Sequence, residues 1–563
     1  MNTEILGVVA MFIITLLLAI PFGKYISKVF TGEKTFLDPV FKPVERFFYK
    51  ISGIDPDHEM NWKQHLIALL TINFLWFFIS MLVLMNMSWL PLNPDGNPDM
   101  SPDLAFNTTI SFLVNCNLQH YSGETGLSYL GQMWLMFLQF VSAATGIAAA
   151  IVVFKAFREK TTEKLGNFYD YLLKSITRIL LPLSFLMGLV LVFQGMPMTF
   201  EGKDKMITLE GKNVDVSTGP VAAFVPIKHI GTNGGGFFGV NSAHPLENPN
   251  YFTNMVEMFA QLIIPMAMVF AFGYFIRRKK FGYMIFGVMT IGFLLLAVPT
   301  VVMEMNGNPA ISQMGIDQSL GAMEGKEIRF GAAASGFWSI VTTVISTGSV
   351  NSMHDSSMPL SGMTQMLAMM VNAFFGGDGV GILNIFIYII LAVFISGLMV
   401  GRTPEFMGKK IEAREMKIAM IIALLHPFLI LVGAAIAAYF PEVGTSTLNN
   451  PGFHGFSEVL YEYTSSAANN GSGFEGLGDN NPFWNISTGI VLLVGRFLPI
   501  IGPVAIAGLL AQKKYIPEGE GTLKTDTSTF GLMTFAVIAI IAALSFFPAL
   551  ALGPIAEYFS MKI

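Results

Sequence analysis

Residues 231–237 read Gly-Thr-Asn-Gly-Gly-Gly-Phe, and they follow a ten-residue semi-apolar stretch, Val221–Ile230, that is too short to cross a bilayer. Alone, such a segment reads as a turn, because glycine and asparagine punctuate loops. It is one of four. Phe106–Val114 precedes Asn115-Cys116-Asn117-Leu118-Gln119-His120-Tyr121, and Ala332–Ile345 precedes Ser346-Thr347-Gly348-Ser349-Val350-Asn351. Phe456–Ala467 precedes Ala468-Asn469-Asn470-Gly471-Ser472-Gly473-Phe474. Taking Cys116, Asn233, Gly348 and Asn470 as reference points, the separations are 117, 115 and 122 residues. Near-constant spacing makes these segments a repeat: a span, a short reentrant helix, a loop, and a second span.

The composition supplies the medium. Of 563 residues, 53% are hydrophobic and only 13% charged, about half the usual charged share of a soluble domain. Apolar runs near 20 residues recur along the chain, so the fold class is an all-α polytopic membrane protein. Ten spans are expected near 3–23, 64–88, 129–154, 171–195, 253–276, 281–303, 364–400, 418–440, 484–511 and 529–551. The first has no basic residue before Lys24 and no small-residue cleavage site, so it reads as a retained helix and not a signal peptide. The seventh should break at Gly376-Gly377-Asp378-Gly379, because a glycine cluster is costly inside a helix. A net charge of −5 argues against a nucleic-acid partner, and the single cysteine, Cys116, excludes an intramolecular disulfide.

Loops 24–63, 155–178, 277–280, 402–417 and 513–524 carry 25 of the 33 Lys and Arg residues. The positive-inside rule turns these loops to the cytoplasm and puts both termini outside. Each repeat then starts and ends inside, so the four run parallel around an axis along the membrane normal. The expected units are an N-terminal helix (1–28), pore repeats at 64–155, 171–278, 281–401 and 418–512, and a C-terminal helix (529–551).

The four loops contain no Asp, Glu, Lys or Arg in their glycine- and asparagine-rich segments. Carboxylate rings suit divalent ions and basic rings suit anions, whereas neutral carbonyl-rich loops suit a dehydrated monovalent cation. Gln119 closes the first segment, either as a filter residue or as a brace to neighbouring backbone. His120 is expected at the outer mouth. Arg496 lies inside the ninth span, where an arginine costs ~2.5–3.5 kcal/mol on insertion scales, and it should face the bundle interior or a cavity. Its readings are a cationic barrier beneath the loops, snorkelling toward the cytoplasmic face, and a structural pair with a carboxylate. Asp378, in the glycine break, reads as a gate beneath the pore, as a group that draws the cation sideways, or as a cap for one half-helix. Arg402 reads as an interfacial anchor.

The motifs are specific enough to suggest a family. Gly231-Thr232-Asn233-Gly234-Gly235-Gly236-Phe237-Phe238 with Asn241-Ser242-Ala243-His244-Pro245 and Glu247-Asn248-Pro249 resembles the KdpA subunits of bacterial Kdp potassium-transporting ATPases. So do Gly401-Arg402-Thr403-Pro404-Glu405-Phe406-Met407-Gly408-Lys409-Lys410-Ile411-Glu412, Ser352-Met353-His354-Asp355 and Ser466-Ala467-Ala468-Asn469-Asn470-Gly471-Ser472. The resemblance implies the fold of the superfamily of potassium transporters, four membrane–pore–membrane units plus a helix at each end. It implies that K+ is the bound and transported ion, that no nucleotide binds here, and that catalysis belongs to a P-type ATPase (KdpB-like) partner. A single-span KdpC-like subunit and a small KdpF-like peptide complete the implied complex, in the bacterial inner membrane. The family's filter positions map onto Asn115, Cys116 and Asn117; Thr232, Asn233 and Gly234; Ser346, Thr347 and Gly348; and Asn469, Asn470 and Gly471. The family's first filter usually reads Asn-Thr-Asn-Trp-Gln, so Cys116 replaces a hydroxyl and Leu118 replaces a large aromatic.

The chain has no Gly-Lys pair followed by Ser or Thr, no Asp-Lys-Thr-Gly, no His-Glu-x-x-His and no Gly-x-Ser-x-Gly. An intramembrane enzyme using His354 or His426 therefore lacks a motif. A stand-alone potassium channel or symporter of the same four-unit fold is the remaining rival. A carboxylate introduced into the second loop tests the loop reading: Gly234→Asp is expected to weaken potassium affinity and relax discrimination against sodium, measured by ion-competition binding, and unchanged values would refute it.

Overall fold

The structure is a computed structural model that describes residues 3–399, 401, 403–517, 519 and 523–561. Arg402, the expected interfacial anchor, lies outside the described residues.

Asparagine and hydroxyl side chains start many of the long helices. Asn61 accepts from the Lys63 and Gln64 amides at 3.0 and 3.1 Å, while Gln64 accepts from the Asn61 amide in return. Asn167, Asn250 and Asn481 cap three further spans in the same way, and Ser128 caps another. Each cap satisfies amides that have no partner within the helix.

Ten helices among the described residues are long and apolar enough to cross a membrane: Thr3–Thr31, Trp62–Leu84, Tyr129–Arg158, Phe168–Phe193, Tyr251–Phe275, Lys279–Gln313, Val380–Met399, Ala413–Tyr439, Pro482–Gln512 and Ser528–Ser560. Between the paired spans lie the short helices Pro102–Leu113, Val221–Ile230, Gly331–Ile345 and Phe453–Ala468. Burial separates the two spans of each unit. Those following a short helix bury 61–89% of their apolar window inside the protein, and those preceding one bury 28–50%. The later spans form the inner wall and the earlier ones the lipid-facing wall. The two end helices also lie outside: the first packs along Tyr251–Phe275, with Gly23 against the Ala267 carbonyl, and the last stacks Phe535 on Phe374.

The expected break in the seventh span is wider than its glycines. The helix Pro359–Val371 ends at Asn372, and the chain resumes as a helix only at Val380. Asn372, Phe375, Gly376 and Gly379 all have positive φ, which a right-handed helix cannot accommodate.

Three elements depart from an all-spanning helical plan. The loop after the fourth span carries a hairpin, Asp204–Ile207 paired with Asn213–Val216. The segment Glu405–Phe406 pairs with Lys409–Lys410. This second hairpin is a clasp: Lys409 Nζ donates to the Lys160 and Ala511 carbonyls at 3.0 and 3.4 Å, tying together the ends of three spans. An amphipathic helix, Asp38–Ser52, fills the loop between the first two spans, which length and hydropathy alone passed over.

Candidate ion-selectivity site

Each short helix runs into its loop through the same backbone turn. The amide of Cys116 donates to the Ser111 carbonyl at 3.0 Å. Asn233 donates to Lys228, Thr347 to Thr342 and Asn470 to Ser465, each at 2.9 Å and each five residues back. The following amide turns the same way in three loops: Asn117 to Ser111 O at 3.1 Å, Gly234 to Lys228 O at 2.9 Å, and Gly471 to the Ser465 hydroxyl at 3.0 Å. The loop donors are thus engaged by the ends of the short helices.

The hand of the backbone alternates in register with these bonds. Asn115 (φ 63°) and Asn117 (58°) flank Cys116, and Thr232 (48°) and Gly234 (89°) flank Asn233. Ser346 (55°) and Gly348 (87°) flank Thr347, and Asn469 (51°) and Gly471 (106°) flank Asn470. None of the four central residues is left-handed. Alternation of hand turns successive peptide groups to one side of the chain. A left-handed residue other than glycine costs roughly 1–2 kcal/mol, and Thr232, being β-branched, is the least suited to it. No hydrogen bond from a described residue reaches the carbonyl of Cys116, Asn233, Thr347 or Asn470.

The loops touch in cyclic order. A Cβ on Gly234 would fall on the Thr347 carbonyl, one on Gly348 on the Asn470 carbonyl, and one on Gly471 on the Cys116 carbonyl. In the first loop Asn117 occupies the glycine's place, and side chains close the circuit instead. Asn115 Nδ2 donates to the Gly231 and Thr232 carbonyls at 3.0 and 2.9 Å and is backed by Ser142 at 2.9 Å. Gln119 donates to the Gly236 carbonyl at 3.0 Å and accepts from its amide at 2.7 Å. Of the two readings of Gln119, the brace is the contact observed. The Cys116 thiol is buried and free, and Leu118 is buried beside it in a small apolar cluster with Ile110 and Leu492.

Charges stand behind the loops; Glu247 lies in a sequence motif and His120 is named from sequence, whereas Lys228, Glu462 and Asp479 are not singled out by it. Lys228, fully buried in the second short helix, donates to Glu247 at 2.8 Å and to Asn241 Oδ1 at 2.6 Å, while Asn241 donates to the Gly234 carbonyl at 2.8 Å. A lysine inside the apolar run Val221–Ile230 was the available signal. Just past the first loop, His120 is buried with Nδ1 at 2.7 Å from Asn485 Oδ1 and Nε2 at 3.3 Å from Glu462 and 3.7 Å from Asp479. Burial opposes the imidazolium, but Asp479 and Glu462 outweigh it and push the His120 pKa up to about 9. His354 instead bonds the Tyr461 hydroxyl at 2.9 Å, and His426 faces the Met369 carbonyl at 3.0 Å.

Beneath the loops lies the broken seventh span. The Asp378 amide donates to Thr232 Oγ1 at 3.0 Å. Its carboxylate is fully buried and has no hydrogen-bond partner among the described residues. Arg496 is buried nearby, with Nη2 3.5 Å from the Ser142 carbonyl, and Gly146 packs against both Arg496 and the Asp378 backbone. A cavity below the third and fourth loops is lined by Ser346, Asn372, Asn384, His426, Asn469 and Arg496.

The family model described as "KdpA: Potassium-transporting ATPase A subunit" matches residues 9–559. The chain belongs to the KdpA family. A protein of Flavobacterium johnsoniae named potassium-transporting ATPase potassium-binding subunit is 71% identical over 573 residues, covering 100% of both chains. The protein of the same name from Geobacillus kaustophilus is 48% identical over 552 residues, covering 98% of both. Among solved structures, the potassium transporter TrkH of Vibrio parahaemolyticus superposes with a TM-score of 0.54 at 13% identity, over 89% of this chain and 98% of that one, which is a likeness of fold. The motifs that carry the KdpA resemblance are on this frame the second loop with its bracing residues Asn241 and Glu247, the segment Ser352-Met353-His354-Asp355 after the third loop, the fourth loop, and the clasp at Lys409.

Gly348→Ala incurs the left-handed penalty, roughly 1–2 kcal/mol, and meets the Asn470 carbonyl; the displacement of that carbonyl is expected to weaken potassium affinity, read by ion-stimulated activity of the assembled complex, and an unchanged affinity would contradict the carbonyl's role. His120 contributes stability that is fully present below its ordinary value of 6.5 and lost as pH rises through about 9. The melting temperature is therefore expected to fall between about pH 7 and about pH 10, and His120→Gln flattens that slope.

Proposed function

We propose that this chain is the potassium-binding and translocating subunit of an ATP-driven import complex in the bacterial cell membrane. The observation that carries the reading is the set of four equivalent carbonyls, on Cys116, Asn233, Thr347 and Asn470, left without donors where four loops meet. A dehydrated cation needs several oxygen dipoles, and backbone carbonyls supply them without a net charge that would favour divalent ions. The four short helices point their C-terminal ends at the loops, each adding a partial negative charge of about half an electron. The filter residues in this reading are Asn115 to Asn117 with Gln119 as brace, Thr232 to Gly234, Ser346 to Gly348, and Asn469 to Gly471.

Potassium enters from the outer side, where both termini also lie, and loses its water among these loops. Below them it meets Asp378, whose buried carboxyl oxygens have no hydrogen-bond partner among the described residues and are free to ligate it, and Arg496, whose charge bars the straight path to the cytoplasm. The cavity between the third and fourth repeats offers a lateral route, and the ion passes by it to a KdpB-like P-type ATPase subunit. KdpC-like and KdpF-like partners complete the assembly. Catalysis is the ATPase subunit's, and this chain is non-catalytic. The domain units are the four pore repeats (64–155, 171–278, 281–401, 418–512) and the two end helices.

Purification from native membranes is expected to bring down an ATPase subunit whose activity rises with potassium. Uptake by this chain alone in proteoliposomes, with no ATPase attached, would support the stand-alone transporter instead. Arg496→Met in the complex is expected to retain ATPase activity while rubidium leaks and fewer ions move per ATP; tight coupling in that variant would remove Arg496 from the barrier.

A further inference from the structure

Helix Asp38–Ser52 lies between the first and second spans and belongs to none of the four repeats. At 3.6 residues per turn its side chains fall on three faces. The first holds Asp38, Glu45 and Tyr49, and it is clamped to the fourth span. Arg178 bonds Glu45 through Nε at 2.5 Å and Nη2 at 2.7 Å, and Asp38 through Nη1 at 2.6 Å. Tyr49 donates to Asp170 at 2.7 Å. Glu45 and Arg178 are both buried, 3% and 4% exposed, so the clamp is a desolvated pair that fixes the helix in place.

The clamp also fixes depth. Arg178 is ten residues into the span Phe168–Phe193, which is about 15 Å along its axis at 1.5 Å per residue. A helix held there has its other faces at a level where the surroundings are the membrane boundary and not bulk water. The second face carries Val40, Val44, Phe47 and Ile51, all between 40% and 62% exposed. The third carries Arg46 and Lys50, exposed and with no ion pair to a described residue. On the helix the basic pair stands roughly 110–120° from the centre of the apolar face. Apolar residues on one side and basic ones on the other is the layout of a helix lying in a lipid interface.

We propose that Asp38–Ser52 is an interfacial anchor, with its Val40–Ile51 face in the acyl region of the inner leaflet and Arg46 and Lys50 on the headgroups of anionic phospholipid. The charge is complementary: this end of the chain carries the basic loops, and anionic lipid attracts each exposed Lys or Arg near its surface. The apolar face has no polar group with which to order a specific protein contact, and its breadth suits a fluid phase.

Bimane placed on Val44→Cys, Phe47→Cys, Ile51→Cys, Arg46→Cys and Lys50→Cys tests this in the full chain, purified with its complex and reconstituted in bilayers of phosphatidylcholine with phosphatidylglycerol. Native Cys116 is fully buried and can stay. Labels at 44, 47 and 51 are expected to be quenched by doxyl lipid and protected from aqueous iodide, and labels at 46 and 50 to show the reverse. Doxyl phosphatidylglycerol should quench position 47 more strongly than doxyl phosphatidylcholine, and the preference should fall about fivefold for each of Arg46→Glu and Lys50→Glu. Iodide access at 47 equal to that at 46 would put the helix in water and overturn the anchor. Protection at 47 from both quenchers would mean that protein covers the face, and would overturn it equally. Equal quenching by the two lipids would overturn the anionic contact.

Discussion

The arrangement depends on where four helix ends direct their hydrogen bonds. A short helix that stops inside a membrane leaves carbonyls and loop amides that water cannot reach. Here each loop turns its central amide back onto the helix it has just left, five residues behind, and leaves its central carbonyl without a donor among the described residues. That requires a residue of positive φ on either side of one of negative φ, four times over. Glycine is least strained by this at Gly234, Gly348 and Gly471, and there the absence of a Cβ also lets the next loop's carbonyl approach. Asn115, Asn117, Thr232, Ser346 and Asn469 are more strained and are held by their surroundings, Asn115 by two carbonyls across the loop boundary and Thr232 through the amide of Asp378.

Charge is distributed so that the loops stay neutral while their surroundings do not. Lys228 is neutralised by Glu247 behind the second loop, and His120 by Glu462 and Asp479 just past the first. Below, the Asp378 carboxylate has no hydrogen-bond partner among the described residues, and its electrostatic neighbour is Arg496. Two such groups in a dry interior act on each other strongly, because little solvent screens them. The broken seventh span makes this possible, because a continuous helix would fill the space beneath the loops.

Much of this was legible in the residues. Length and hydropathy give the ten spans, and the near-constant spacing of the loops points to repeats, although the residue equivalent to Cys116, Asn233 and Asn470 is Thr347, one before the Gly348 used as the reference. Val221–Ile230 is bounded correctly because Pro220 and Gly231 mark its ends, whereas Pro102–Leu113 starts earlier than its apolar stretch because Pro102 opens the first turn. What sequence withholds is backbone: no side chain announces that the carbonyl of Thr347 is the one left free, or that Gln119 faces Gly236. It also withholds long-range pairs, since Lys228 with Glu247 and Arg178 with Glu45 become partners only when distant segments meet. The helix Asp38–Ser52 escaped because its prolines and charges break the apolar run by which spans are found.

The central claim is that the ion sits among four backbone carbonyls contributed one by each repeat. Thallium anomalous scattering from crystals of the assembled complex tests it directly. The account predicts one peak equidistant from the carbonyl oxygens of Cys116, Asn233, Thr347 and Asn470, and depleted when potassium competes. A peak held instead by the carboxylates of Glu462 and Asp479, with none among the loops, would contradict it.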